Sequence, residues 1–188
     1  MTDLFVAIDV ETTGLDPAQH EICQFGYTIF TRETIFANTA HDVYVSPHAR
    51  SKAQPKALEV NGFTAERMSH GVPLEVVAAR FETEMMRMRD RIDDCRLNAV
   101  YHNASFDVAF LKASGWMKGK LLEWFVRRPL DTVTMGWMCG ARELSLENLA
   151  TDLLNPREMQ EWKKHDAGSD SYVTALLAMK LMNFSKRE

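Results

Sequence analysis

Three features of the sequence predict an α/β fold, a mixed sheet covered by helices. The first is a set of three β-rich segments, residues 4–8, 22–30 and 41–45, joined by connections short enough for an antiparallel meander. The second is an amphipathic helical stretch that opens after Pro73. The third is a later strand, residues 98–102, followed at once by a helix over about 105–115. The order strand, strand, strand, helix, strand, helix gives a sheet whose first three strands are antiparallel and whose later strands come with helical crossovers.

Each element has a local reason. Residues 4–8 are an unbroken apolar run, as in a strand buried on both faces. Gly14, Asp16 and Pro17 make a turn by composition. Residues 46–72 read as irregular, but inside them Pro55 opens and Gly62 follows one short helix. After Pro73, Val77, Phe81, Met85, Met88 and Ile92 recur at spacings of four, four, three and four. That stripe is too short for a coiled coil and predicts a core-facing helix. Residues 130–132 predict a short fifth strand, and Ser145 a cap for a helix carrying Leu146, Leu149, Leu153 and Leu154. Pro156 predicts the start of another helix. The last helix is expected over about 170–183, with Val173, Leu176, Leu177 and Leu181 as its buried stripe. No repeat, low-complexity tract or linker interrupts the 188 residues, so residues 1–188 read as a single domain.

Composition narrows the function classes. Hydrophobic residues are 46% and charged residues 26%, which excludes a disordered chain. Asp3, Asp9 and Glu11 interrupt the first apolar stretch, so it is no signal peptide, and no run is long enough to cross a bilayer. Cys23, Cys95 and Cys139 are far apart and form no CxxC pair. That pattern fits thiols in a reducing compartment and predicts a cytoplasmic protein. The net charge of −4 lacks the broad basic footprint of a tight nucleic-acid binder. It leaves room for weak, metal-dependent or end-directed binding.

Chemistry gathers at the end of the first strand. In Asp9-Val10-Glu11-Thr12-Thr13-Gly14, Asp9 and Glu11 are two residues apart and share one face of a strand. Two adjacent buried carboxylates need a cation, and a hard divalent ion suits them. A strand running out into solvent would also carry such a pair. Asp107 opens an otherwise apolar helix, and Asp170 stands in the first turn of the last one, where either could simply favour the helix dipole. His165 and Asp170 are five apart, about 140° of helical rotation, so they do not share a helix face. His165 therefore belongs in the preceding loop.

Taken together, Asp9, Glu11, Asp107 and Asp170 resemble, in order and local sequence, the four acidic residues of the DEDDh 3′–5′ exonuclease family. The resemblance rests on Asp9-Val10-Glu11-Thr12-Thr13-Gly14, on His102-Asn103-Ala104-Ser105-Phe106-Asp107, and on His165-Asp166-Ala167-Gly168-Ser169-Asp170. Weaker echoes at residues 21–26, 57–64, 130–132 and 145–150 extend it over nearly the whole chain. Family members remove nucleotides from a 3′ end on a ribonuclease H-like fold with two metal ions, here Mg2+ or Mn2+. The chemistry explains the carboxylates: in-line attack on a phosphodiester builds charge on two oxygens, and two cations about 4 Å apart stabilise both.

The resemblance also implies roles. Asp9 would bridge the metals, Glu11 and Asp170 would complete one coordination shell, and Asp107 would help hold the other. His165 would be the general base, since an imidazole of pKa about 6.5 is largely neutral near pH 7. The backbone at Thr12 and Thr13 would meet the terminal sugar hydroxyl, Leu15 would wedge against the last base, Asn61, Gly62 and Phe63 would line the nucleotide pocket, and Asn103 would stand near the penultimate phosphate. Phe106 could stack on a base, and Lys163-Lys164 or Arg127-Arg128 could meet the phosphate backbone. His102 is expected to support the strand end. Proofreading members often carry His where Asn61 stands, whereas ribonuclease T-like members can carry Asn.

The expected substrate is a single-stranded 3′ end, DNA ahead of RNA. An RNA-processing exonuclease, a hydrolase of short oligonucleotides, or a binding module without activity are the other readings. Glu188 follows soon after the last helix, so no polymerase-binding tail is expected.

Overall fold

Alternation along the first strand decides the layers of the molecule. The structure is a computed structural model that describes residues 2–92, 95–116 and 125–184. β1 (Thr2–Thr12) is the middle of a five-stranded sheet of order β3-β2-β1-β4-β5, with β2 (Ile22–Phe30), β3 (Ile35–Asp42), β4 (Cys95–Tyr101) and β5 (Leu130–Asp131). β1, β2 and β3 pair antiparallel, while β4 and β5 run parallel to β1. The mixed sheet with an antiparallel first half is the one the sequence predicts.

Leu4, Val6, Ile8 and Val10 turn to one face of β1, where they meet Val77, Phe81, Met85 and Met88 of α4 (Leu74–Arg91). Val108, Phe110 and Leu111 of α5 (Ala104–Ala113) close the same core. Phe5 and Ala7 turn to the other face and pack with Ala175, Ala178 and Met182 of the last helix, α8 (Ala167–Phe184). A strand buried on both faces has no polar side, which explains its continuous apolar run.

Between β3 and α4 lie α1 (Pro47–Ser51), α2 (Pro55–Asn61) and α3 (Ala65–His70). α2 ends on Gly62 at φ 68°, the left-handed cap that glycine adopts without a Cβ penalty. After β5 come α6 (Thr132–Met138) and α7 (Leu146–Leu153), and Ser145 caps α7 by accepting from the Asn148 amide.

Several expectations shift. The third strand is Ile35–Asp42, not residues 41–45. A tight turn over 31–34, in which Thr31 Oγ1 accepts from the Glu33 and Thr34 amides, sends the chain straight back along β2. Val43 instead makes an isolated bridge to Val72. Residues 156–161 form turns, not a helix, because Asn155 Oδ1 takes the Arg157 and Glu158 amides and holds them in a local turn. α1, α3 and α6 are helices where none was expected. The residues after Phe184, on which any reading of a tail depends, lie outside those described. Among the described residues no helix is long and apolar enough to cross a membrane.

Candidate active site

β1 carries Asp9 and Glu11 to its C-terminal end on the face of Phe5 and Ala7, the face that α8 covers. In register across β2 they meet Gly26 and Gln24. Gly26 leaves the space in which α8 begins: a Cβ there would lie 2.1 Å from the Ala167 carbonyl oxygen. Gln24 ties the helix start down, its Oε1 accepting from the Ala167 amide at 2.7 Å and its Nε2 donating to Asp166 at 3.1 Å. Asp166 in turn caps the helix by accepting from the Ser169 amide at 3.1 Å. The helix therefore starts three residues before the expected position, despite Gly168. That glycine is needed for contact rather than for breaking the helix, because a Cβ on it would lie 2.8 Å from the Ala40 side chain.

This early start places Asp170 in the first turn of α8, above the β1 acids. Asp170 is 6% exposed. Its Oδ1 accepts from Trp162 Nε1 at 2.5 Å and its Oδ2 from the His165 backbone amide at 2.9 Å. His165 lies in the loop before α8, exposed, with φ at 61°. One ligating atom from each of Glu11, His165 and Asp170 lies within 4.8 Å of the other two.

Asp107 arrives from the other side. Asn103, at φ 62°, turns the chain from β4 into α5. Asp131 holds that turn by accepting from the Asn103 and Ala104 amides at 3.1 and 3.0 Å, and it also caps α6 through the Val133 amide at 2.9 Å. Asp107 is 3% exposed, and its Oδ1 accepts from the Val10 amide at 3.0 Å, which fixes it beside the Asp9-Val10-Glu11 backbone.

The electrostatics of the group are one-sided. Burial pushes the Asp9 carboxyl well above its ordinary range, with Asp107, Asp170, Glu11 and Asp166 adding to the shift. Burial, then Asp170, Asp107 and Asp166, push Glu11 up to about 8, against a hydrogen bond from Asn61 that lowers it. Asp107 also rises to about 8 through burial, opposed by the Val10 amide. Asp170 is raised by burial against the Trp162 and His165 hydrogen bonds. Among the described residues, the charges that act most strongly on Asp9 and Glu11 are other carboxylates. Clustered oxygen donors without a protein counter-charge fit a hard divalent cation.

These residues line one cleft of about 430 Å3. Asp9, Glu11, Thr12, Leu15, Asn61, Asn103, Asp107, His165 and Asp170 all border it. Leu15, 72% exposed, stands on one rim together with Val60, and Phe106 and Leu146 add apolar wall. Three expected site residues, Thr13, Gly62 and Phe63, are not among those that line the cleft. Thr13 is fully buried, its amide donating to the Glu21 carbonyl and its carbonyl accepting from the Gln54 amide. Phe63 is 3% exposed, in a small cluster with Cys23, Val45, Ala49 and Met68, and the Arg67 guanidinium lies 3.8 Å over its ring. Asn61 borders the cleft with its amide engaged, Nδ2 donating to the Thr12 carbonyl and Oδ1 accepting from the Phe63 amide. His102 borders the cleft and bonds Thr132 Oγ1 through Nδ1 at 2.9 Å. Lys164 pairs with Glu147, and Arg127 and Arg128 are exposed and do not line the cleft. Trp162, Gln24 and Asp131 were not anticipated. Asp131 could have been found as an Asp just before a helix, whereas Trp162 and Gln24 act only through tertiary contacts.

The chain is similar to several known proteins. The polymerase III PolC-type of Thermotoga maritima is 29% identical over 97% of this chain, but the match spans only 12% of that polymerase's length. Ribonuclease T of Vibrio parahaemolyticus is 25% identical over 95% of this chain and 85% of its own. Among solved structures, exonuclease X in complex with 5′ overhanging duplex DNA superposes with a TM-score of 0.69 at 24% identity, covering 98% of this chain and 94% of that one. The nuclease domain of 3'hExo, a DEDDh family member bound to rAMP, gives 0.77 at 14% identity over 97% and 92%. These two likenesses establish the fold, a ribonuclease H-like sheet flanked by helices. The family profile described as Exonuclease (RNase_T) matches residues 6–178, and the chain belongs to that exonuclease family.

Proposed function

We propose that this chain is a metal-dependent 3′–5′ exonuclease that acts as one domain over residues 1–188 in the cytoplasm. It removes nucleotides from single-stranded ends. The observation that carries the reading is the convergence of Asp9, Glu11, Asp107 and Asp170, from three separate elements, with His165 on one cleft. Two divalent cations, Mg2+ or Mn2+, held by those four carboxylates would neutralise charge on the attacking and leaving oxygens of the phosphodiester.

The protein's own groups do the rest. His165, exposed at the rim and held by its backbone to Asp170, is positioned to take a proton from the attacking water. Leu15, Val60 and Phe106 offer an apolar surface to the terminal bases, which tolerates any base because each has a π-face. Thr12 and Asn103 border the same cleft and are the candidates for sugar and phosphate contacts. Thr13 and Phe63 support this wall from behind.

DNA is the first substrate to test, since the polymerase relative shares 29% identity. One observation favours RNA instead: ribonuclease T is matched over 85% of its length, and Asn61 stands at the position where ribonuclease T-like members can carry Asn. Matched 5′-labelled single-stranded DNA and RNA oligomers, incubated with Mg2+ or Mn2+, separate the two. The expected result is a ladder shrinking from the 3′ end, abolished by EDTA, with DNA cut faster. Binding of both oligomers without cleavage of either would overturn the enzyme reading and leave a nucleic-acid-binding module.

A further inference from the structure

Asp170 accepts a hydrogen bond on each carboxylate oxygen, and one of the donors comes from a side chain that the family motif does not contain. Trp162 Nε1 donates to Asp170 Oδ1 at 2.5 Å, across eight residues of chain. The His165 amide takes the other oxygen at 2.9 Å. A carboxylate has about four lone-pair sites, so these two bonds occupy one site on each oxygen and leave one on each for a cation.

The indole is itself held. It packs on the apolar cluster that includes Leu149, Leu154, Val173 and Leu177, between α7 and α8. The Lys164 ammonium lies 5.6 Å from the ring centroid and is tied to Glu147 of α7. Packing alone would be served by any apolar side chain of that size. The indole adds one group, an N–H that can donate but can neither accept a bond nor bind a metal, and that group points at Asp170. The same segment anchors the loop a second time, where the Lys163 amide donates to Ser169 Oγ at 2.8 Å.

We infer that Trp162 is a positioning residue for cation binding: its indole N–H fixes the rotation of the Asp170 carboxylate so that the remaining lone pairs face Glu11. The inference rests on the metal-dependent reading above. Partners of this kind orient ligating carboxylates, and their loss typically lowers metal affinity about 10–100-fold. The effect is on affinity for the ion, so it is overcome by raising the ion's concentration.

The test is Mn2+ binding by calorimetry on the full chain, with Trp162→Phe and Trp162→His beside the wild type, and with the metal-free melting temperature of each. Trp162→Phe keeps the ring and removes the N–H; its Mn2+ affinity should fall about 10–100-fold while the metal-free melting temperature moves little. Trp162→His restores a donor and should recover part of the affinity. In the cleavage assay the Mn2+ concentration for half-maximal rate should rise with Trp162→Phe, and the rate at saturating Mn2+ should return toward that of the wild type. Wild-type Mn2+ affinity in Trp162→Phe would overturn the positioning role and leave the proposed activity standing. If Trp162→Phe fails to fold, Trp162→His decides: an Mn2+ affinity near that of the wild type supports the donor role, and an affinity as low as that of Asp170→Asn overturns it. No Mn2+ binding by the wild type would overturn the metal-dependent reading itself, and this inference with it.

Discussion

The floor of the cleft and its rim are built on different principles. The four carboxylates of the floor come from long, packed elements, β1, α5 and α8, and Asp107 and Asp170 are nearly inaccessible. His165, Leu15 and Asn103 on the rim come from loops and are exposed, two of them at positive φ. Groups that must share a cation gain from being fixed before it arrives, because misplacement weakens every oxygen contact together. Groups that meet a changing substrate end need access instead. The contrast predicts that changes to the floor act on both stability and metal binding, and changes to the rim on turnover or substrate affinity alone.

The largest expected effect is at Asp9. Asp9→Ala should abolish cleavage, and because it removes one of several crowded carboxylates it should also raise the metal-free melting temperature near pH 8. A fall in that temperature would break the contrast, since it would make Asp9 a stabilising group in the absence of metal. His165→Ala should lower kcat about 10²–10⁴-fold, the range typical of a general base. It should leave Mn2+ affinity higher than that of Asp170→Asn, which calorimetry on the two variants would show.

A smaller effect is expected at the join of sheet and helix. Gly26→Ala places a methyl group against the Ala167 backbone and should cost about 1–3 kcal/mol, read as a drop of several degrees in melting temperature. An effect of similar size is expected at the apolar wall of the cleft: Phe106→Ala should weaken binding of single-stranded ends by about 1–3 kcal/mol, measured as a rise in KM with kcat little changed.

The same division explains what was legible in the sequence. β1, β2, α4 and α8 could be read because their apolar patterns are long and local, and the four acids because each stands in a recognisable short motif. β3 was misplaced because the β-branched Val43 and Val45 drew attention away from Ile35–Asp42, whose polar Asn38 and Thr39 are set by the turn at Thr31. α6 escaped because its Thr132-Val133-Thr134 start and Gly136 are poor helix formers, and Asp131 supplies the cap that makes it possible. Gly168 is a poor helix former that nevertheless stands in the first turn of α8 as a contact residue, and its role depends on Ala40, far away in the chain. Trp162 had no local signature, and Gln24 stood within the echo at residues 21–26 without any sign of its bonds to the start of α8, since a hydrogen bond across the fold leaves no periodicity to read.

The fold gathers four carboxylates around one cleft, and the proposed activity needs a cation to neutralise their charge. Melting temperature against pH, with and without Mg2+, tests it most directly. In the unfolded chain Asp and Glu titrate near 4, whereas in the folded metal-free protein Glu11 and Asp107 titrate at about 8. The folded state therefore holds more protons between those values. The stability that these two groups contribute is fully present below about pH 4 and falls as pH rises toward 8. Without metal the melting temperature should be lower at pH 8 than at pH 5.5, and adding Mg2+ at pH 8 should raise it in the wild type but not in Asp9→Ala. An unchanged melting temperature on adding Mg2+ to the wild type at pH 8 would contradict that need for a cation.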